Sequence, residues 1–171
     1  MQILRNTIFA SILVAAGTAA AVEAGDDAPS FRAYSFDGQP VEFPFADRDD
    51  TSVVIFWATW CGYCKAFMPW LQAIEADYRD RGVQVVTINA KEDGNGNPAE
   101  YIAALEFPMT AVRSGNAIAR AWDVEFIPGV FVVDGDGTVA FRRPWTDLPA
   151  GEEVAALWDR QVRDALDAAL Q

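Results

Sequence analysis

The sequence predicts an α/β domain with a central mixed β-sheet flanked by helices, and a β-hairpin ahead of it. Three observations carry that prediction. A continuous apolar run, Val53 to Trp57, is followed by a segment of helical periodicity and then by a second apolar strand pattern from Val83 to Ala90. A strand–helix–strand order of this kind closes as a parallel pair. Two turn signals, Asp37-Gly38 and Asp134-Gly135-Asp136-Gly137, each lie between strand-like runs and add antiparallel hairpins. The third observation is a long amphipathic pattern at the C-terminal end, with Val154, Leu157, Trp158, Val162, Ala165, Leu166 and Ala169 on one face.

The first 24 residues read as a secretory signal peptide: Arg5, an apolar run from Ile8 to Val22, and the small-residue pattern Val22-Glu23-Ala24. Cleavage is expected after Ala24, with Ala21 as the second choice and an uncleaved membrane anchor as the alternative. Residues 25–171 are then a single domain, with enough chain for a substantial core. Export implies an oxidising, periplasmic setting. Losing Arg5 and Glu23 leaves the net charge at −12, and such a surface repels phosphate backbones, so no nucleic-acid partner is expected. With the leader removed, no stable membrane insertion is expected either.

Along the remaining chain, Phe31, Ala33 and Ser35 alternate with Arg32, Tyr34 and Phe36, and Val41, Phe43 and Phe45 alternate beyond the turn, giving a hairpin over about 30–43. Val53 to Trp57 suits a strand buried on both faces at the sheet centre. From Cys61, the residues Cys64, Phe67, Met68, Leu71, Ile74 and Tyr78 recur at helical spacing until Gly82, with Pro69 expected to kink the helix. Asn97-Pro98-Ala99-Glu100 is a capping-box signature for a short helix through Leu105. Met109 to Val112 reads as a brief strand, Ala117 to Trp122 as a turn or two of helix, and Val130 to Val133 with Thr138 to Arg142 as the second hairpin.

The chemistry concentrates in Trp60-Cys61-Gly62-Tyr63-Cys64-Lys65, which holds the only two cysteines of the 171 residues. A zinc site needs about four ligands, usually Cys and His, and the chain has no histidine and no third cysteine. Attachment of a c-type haem requires His after the second Cys, where Lys65 stands. Neither a metal nor a bound cofactor is therefore expected. A purely structural disulfide closing four residues would remove only about 2 kcal/mol of unfolded-chain entropy, against about 3 for fifteen. The remaining reading is redox: a buried strand delivers two thiols to a helix N-terminus, whose dipole and free N–H groups stabilise a thiolate. Cys61 is the residue placed to benefit. Trp60 and Tyr63 are either rim or packing aromatics.

In this order, Phe56-Trp57-Ala58-Thr59-Trp60-Cys61-Gly62-Tyr63-Cys64-Lys65, Pro69, Ile127-Pro128 and Val133-Asp134-Gly135-Asp136-Gly137 resemble the thioredoxin superfamily. With Ala28-Pro29-Ser30-Phe31 and Asp37-Gly38 in a leading hairpin, the chain is most similar to its exported TlpA-like and ResA-like branch, over residues 28–170. The resemblance implies a thioredoxin-like fold and a thiol–disulfide oxidoreductase. It makes Cys61 the exposed nucleophile, Cys64 the more buried resolving thiol, and Pro128 a cis-proline facing them. Without it, Pro128 is an ordinary strand-edge proline. The Ile127 backbone would then pair with an extended substrate segment, with Trp60, Gly62 and Tyr63 completing the substrate surface. Two family features are missing. The buried acid of many thioredoxins falls at Ile55, and the glutamate three residues after the second cysteine falls at Phe67. Asp123 and Glu125 are candidate replacements as proton acceptor, and Gly129-Val130 follows the proline where the family has a Thr pair.

The expected activity is reduction of protein disulfides, fed by a membrane electron donor and serving cytochrome c maturation or another periplasmic thiol protein. Two alternatives are kept: a disulfide-forming oxidant or isomerase partner, and a Cu(I) chaperone using the same two thiols.

Overall fold

The computed structural model describes residues 21–45 and 50–171. A two-stranded hairpin comes first, β1 (Phe31–Tyr34) paired antiparallel with β2 (Pro40–Phe43). Then follow β3 (Thr51–Trp57), α1 (Gly62–Tyr78), β4 (Val83–Asn89), α2 (Pro98–Ala103), β5 (Thr110–Val112), α3 (Asn116–Ala121), β6 (Gly129–Val133), β7 (Val139–Arg142) and α4 (Glu152–Ala169). The last five strands form one sheet in the order β5-β4-β3-β6-β7. β3, β4 and β5 run parallel, while β6 and β7 are antiparallel to their neighbours, so the sheet is mixed as the sequence predicts.

β3 is central because all seven of its residues can be buried. Its alternation splits them between two cores: Val53, Ile55 and Trp57 face α1 and α4, while Val54 and Phe56 face the hairpin and α3. β6 divides in the same way, Val130 and Val132 to the first core and Phe131 and Val133 to the second. Both cysteines belong to the α1/α4 core.

The expected element boundaries hold with small shifts. α1 runs through Pro69, and a 3-10 turn over Arg79–Arg81 ends at Gly82, whose φ of +76° suits only glycine. α2 stops at Ala103, short of Leu105, because the Ala104 N–H is shared with the Tyr101 carbonyl and tightens the last turn. The hairpin has a clear structural task. The Phe36 N–H reaches the Ala111 carbonyl and the Arg113 N–H reaches the Tyr34 carbonyl, covering the outer edge of β5.

Most of the predicted leader lies outside the described residues. Of its last residues, Val22 is buried, its carbonyl accepts Arg142 Nη1 at 2.8 Å, and Glu23 pairs with the same guanidinium at 3.3 Å. Among the described residues, no helix is long and apolar enough to cross a membrane.

Candidate active site

β3 ends at Trp57, and the chain passes through Ala58-Thr59-Trp60 into the helix that carries the cysteines. Cys61 is the N-cap of α1, with extended backbone, and its sulfur accepts the Cys64 N–H at 3.1 Å. The first turn of α1 contains no acidic residue to oppose negative charge there. Cys61 and Cys64 are joined as a disulfide, with Cα atoms 5.3 Å apart. The expectation of an exposed Cys61 above a buried Cys64 is corrected in this oxidised form. The two are 3 % and 1 % exposed, because the Cys61 sulfur folds in over the first helical turn instead of projecting outward.

The approach to the disulfide is held on one side by a carboxylate. Glu92, just beyond the end of β4, accepts the Thr59 N–H at 2.8 Å and the Thr59 hydroxyl at 2.5 Å, and Asn89 Nδ2 donates to it at 2.6 Å. Gly96 closes over Thr59 so tightly that a Cβ there would lie 1.8 Å from the Thr59 hydroxyl oxygen. Trp60 is half exposed, and its indole N–H donates to the Lys91 carbonyl at 2.7 Å. Lys91 also ties this loop to the rest of the rim: its N–H donates to Asn116 Oδ1, and its ammonium donates to the Glu125 carbonyl. Beside Trp60 is a cleft of about 550 Å³ lined by Thr59, Lys65, Asn97, Glu100 and Tyr101 among others, and by neither cysteine.

The opposite side is the segment before β6. Phe56 pairs with Gly129, which brings Pro128 alongside the end of β3 where the cysteine loop departs. The Ile127–Pro128 bond is cis, as the resemblance implies, and so is Phe43–Pro44, which the sequence reading did not anticipate. Gly129 replaces a larger residue for a visible reason, since a Cβ there would meet Val124 Cγ1 at 2.8 Å. The Pro128 carbonyl accepts two hydrogen bonds from one side chain, Arg143 Nη2 at 2.6 Å and Nε at 3.1 Å. Burial pushes the Arg143 guanidinium down to about 10, which leaves it charged at neutral pH.

Tyr63, between the cysteines, donates its hydroxyl proton to the Leu148 carbonyl at 2.9 Å and packs its ring against Trp158 of α4. Trp145 and Leu148 are both exposed, and Trp145 stacks edge-on against Phe126. Of the predicted site residues, Trp60, Cys61, Gly62, Tyr63 and Cys64 therefore share one loop and helix start, with Ile127 and Pro128 at the end of the adjacent strand pair. The positions of the missing acids, Ile55 and Phe67, are buried and apolar. Neither substitute is drawn towards the disulfide: the Asp123 carboxylate faces Arg142 at 3.8 Å, and Glu125 is exposed.

Glu92, Arg143 and the 145–148 segment escaped the sequence reading. Only Glu92 had a usable signal, its place just past the carboxyl end of a central parallel strand, where sites in such sheets gather.

A two-cysteine loop at a helix N-terminus, set against a cis-proline at the end of the neighbouring strand, defines a thiol–disulfide oxidoreductase of the thioredoxin superfamily. The chain belongs to the Redoxin family, whose model matches residues 23–152. It is 30% identical over 122 residues to the thiol-disulfide oxidoreductase ResA of Bacillus thuringiensis subsp. konkukian, covering 69% of this chain and 68% of that one. It is 31% identical over 125 residues to the thiol:disulfide interchange protein HelX of Rhodobacter capsulatus, covering 70% and 66%. In fold it matches the crystal structure of a DsbE-type thiol:disulfide interchange protein from Chlorobium tepidum, with a TM-score of 0.72 at 24% identity over 88% of this chain and all of that one. The protein is a ResA-like redox enzyme with Cys61 and Cys64 as its redox pair.

Proposed function

We propose that the protein is an exported reductant of protein disulfides, with Cys61 as nucleophile and Cys64 as resolving thiol. The observation that carries this reading is the Cys61 sulfur at the N-cap of α1, accepting the Cys64 N–H with no acid in the first turn. In the reduced enzyme the same donor and the helix N-terminus stabilise a Cys61 thiolate. That thiolate attacks one sulfur of a substrate disulfide, forming a mixed disulfide and releasing a substrate thiolate. The Cys64 thiolate then attacks the Cys61 sulfur, the second substrate thiolate leaves, and the Cys61–Cys64 disulfide remains. Two electrons pass to the substrate, whose thiolates take protons from solvent, and a dithiol donor on the membrane returns the enzyme to its reduced form.

A macromolecular substrate suits the surroundings. The disulfide is next in the chain to the exposed ring of Trp60, and the cleft beside Trp60 does not include it. Ile127 offers backbone, Gly62 a bare approach, and Tyr63 an apolar face to an extended segment. Reductant rather than oxidant is supported by Gly62-Tyr63 between the cysteines, which supplies no histidine to stabilise the thiolate strongly. The motif resemblance supports service in cytochrome c maturation or to another periplasmic thiol protein.

Trapping with Cys64→Ala tests the roles: the variant should accumulate mixed disulfides through Cys61, and accumulation through Cys64 in the Cys61→Ala variant instead would reverse them. Equilibration against a dithiothreitol series should give a potential nearer about −270 mV than about −120 mV, and a value above about −150 mV would make the protein an oxidant. For export, mass spectrometry of the N-terminus from a periplasmic fraction should find a cut chain, whereas intact Met1 in membranes would show an anchor.

A further inference from the structure

We infer that Arg143 is a positioning residue for the substrate-binding edge: its buried guanidinium grips the carbonyl of Pro128 and holds the Ile127–Pro128 segment in register beside the Cys61–Cys64 loop. The inference rests on the thiol–disulfide exchange reading above.

Arg143 follows directly on β7 and is 4 % exposed. Its backbone N–H donates to Val130 across the β6–β7 pair, which fixes where the side chain starts. From there Nε and Nη2 converge on the single Pro128 carbonyl, and Nη1 reaches the Pro144 carbonyl at 2.8 Å and the Thr146 hydroxyl at 3.4 Å. The guanidinium carbon lies over the Trp158 ring, 4.4 Å from its centroid, and over that of Phe126 at 4.9 Å. None of these partners carries a charge.

An arginine kept only for stability would be expected to face a carboxylate, because a cation stripped of water without one is costly. Here the cation is spent on two aromatic faces, on the Pro144 carbonyl, and with two of its bonds on the carbonyl of the proline at the substrate edge. The same contacts reach the other half of the site. Trp158, which stacks on Arg143, also packs against Tyr63 between the cysteines and against Phe67 on the next turn of α1, and its indole N–H is fixed by Thr146. The edge and the cysteine helix are thus referred to one guanidinium–indole pair. An edge out of register pairs less well with an extended substrate segment, which gives this arrangement a consequence for substrate binding. Lysine in its place keeps the charge but has neither the fork nor the flat face.

Three full-length proteins test the inference: wild type, Arg143→Met and Arg143→Lys. Hydrogen exchange followed by mass spectrometry needs no activity. In Arg143→Met, exchange of the 125–130 segment should quicken about tenfold while that of 51–57 stays unchanged, as for a lost charge-assisted pair at one edge. Unchanged exchange at 125–130, or an equal rise in both segments, overturns the inference. With insulin as the protein disulfide, Arg143→Met should raise KM about tenfold with less than about a twofold fall in kcat, and Arg143→Lys should lie between the two proteins. The loss should be several-fold smaller with oxidised glutathione, which is too short to pair along the edge. Equal losses with both substrates, or a fall in kcat alone, also overturn it. If the wild-type protein fails to reduce either disulfide, the exchange reading falls, and hydrogen exchange still decides whether Arg143 holds the edge.

Discussion

The two walls flanking the Cys61–Cys64 disulfide are held by opposite electrostatic means. On the Trp60 side a partly exposed carboxylate, Glu92, gathers three hydrogen bonds from Thr59 and Asn89. On the Pro128 side a buried cation, Arg143, donates to carbonyls and lies between aromatic rings. The difference teaches where each wall's stability comes from. A carboxylate that accepts several N–H and O–H bonds is in an environment made for its charge. The guanidinium has been moved out of water and recovers only part of that cost from its partners.

The largest expected effect follows from that asymmetry. Glu92→Ala leaves the Thr59 N–H and hydroxyl and the Asn89 amide without their acceptor, and should lower stability by about 2–3 kcal/mol. Arg143→Met leaves the Pro128 carbonyl unpaired but also relieves a desolvated charge, so the two effects should nearly cancel in global stability. Urea denaturation of the two variants checks the order. Equal losses, or a larger one for Arg143→Met, would show that the cation is the better-compensated group.

A smaller effect is expected where each wall depends on a glycine. In Gly96→Ala the new Cβ would lie within 2.4 Å of both the Cβ and the hydroxyl oxygen of Thr59, a side chain that Glu92 prevents from turning away. In Gly129→Ala it would meet one Val124 methyl at 2.8 Å, which can move by a rotamer adjustment. Losses of about 2 and about 1 kcal/mol respectively are expected for overpacking of these two kinds. The double variant Glu92→Ala/Gly96→Ala should lose less than the two single variants together, because the Thr59 backbone and side chain, no longer tied to Glu92, are then free to shift away. Strict additivity would mean that Glu92 does not fix Thr59.

The frame of the site was legible in the sequence because it rests on local signals. Val53 to Trp57 suits a doubly buried strand, the apolar spacing after Cys61 fits one amphipathic helix, and two cysteines at its start with no histidine favour redox chemistry. Pro128 became legible only through the order of the elements around it. The walls were not legible, for physical reasons that differ. Arg142-Arg143 after a strand reads as a solvated end, and Arg143 is covered by Phe126 and by Trp158 of the last helix, both distant in the chain. Glu92 stands at the head of the polar run Glu92-Asp93-Gly94-Asn95, where charge ordinarily means solvent, and its partners come from β4 and from the loop before the cysteines. Trp145 and Leu148 lie in a proline-flanked segment with no periodicity, placed at the rim by the Tyr63 hydroxyl bond to the Leu148 carbonyl. Each of these depends on contacts between residues distant in the chain.

The smallest effect concerns the floor of the Trp60 wall, where Tyr101 of α2 packs its ring 5.1 Å from that of Trp57. Burial raises the Tyr101 hydroxyl above its ordinary value of 10.0, since the phenolate would be the less solvated form there. The folded state therefore holds this proton more tightly than the unfolded one. Its contribution to stability is fully present below pH 10 and is lost as pH rises through the folded value, because the unfolded chain releases the proton first. Arg143, pushed down to about 10, has the opposite sign: the unfolded chain keeps that proton longer, so stability is regained above pH 10. The two slopes overlap in the whole protein and must be separated by substitution. Tyr101→Phe removes only the first, so the variant should lose less stability than wild type between pH 9 and pH 11 while matching its dependence on pH at neutrality. Arg143→Met removes only the second and should lose more. Parallel curves for Tyr101→Phe and wild type across that range would place the Tyr101 hydroxyl in water, and with it the polar side of the Trp60 wall.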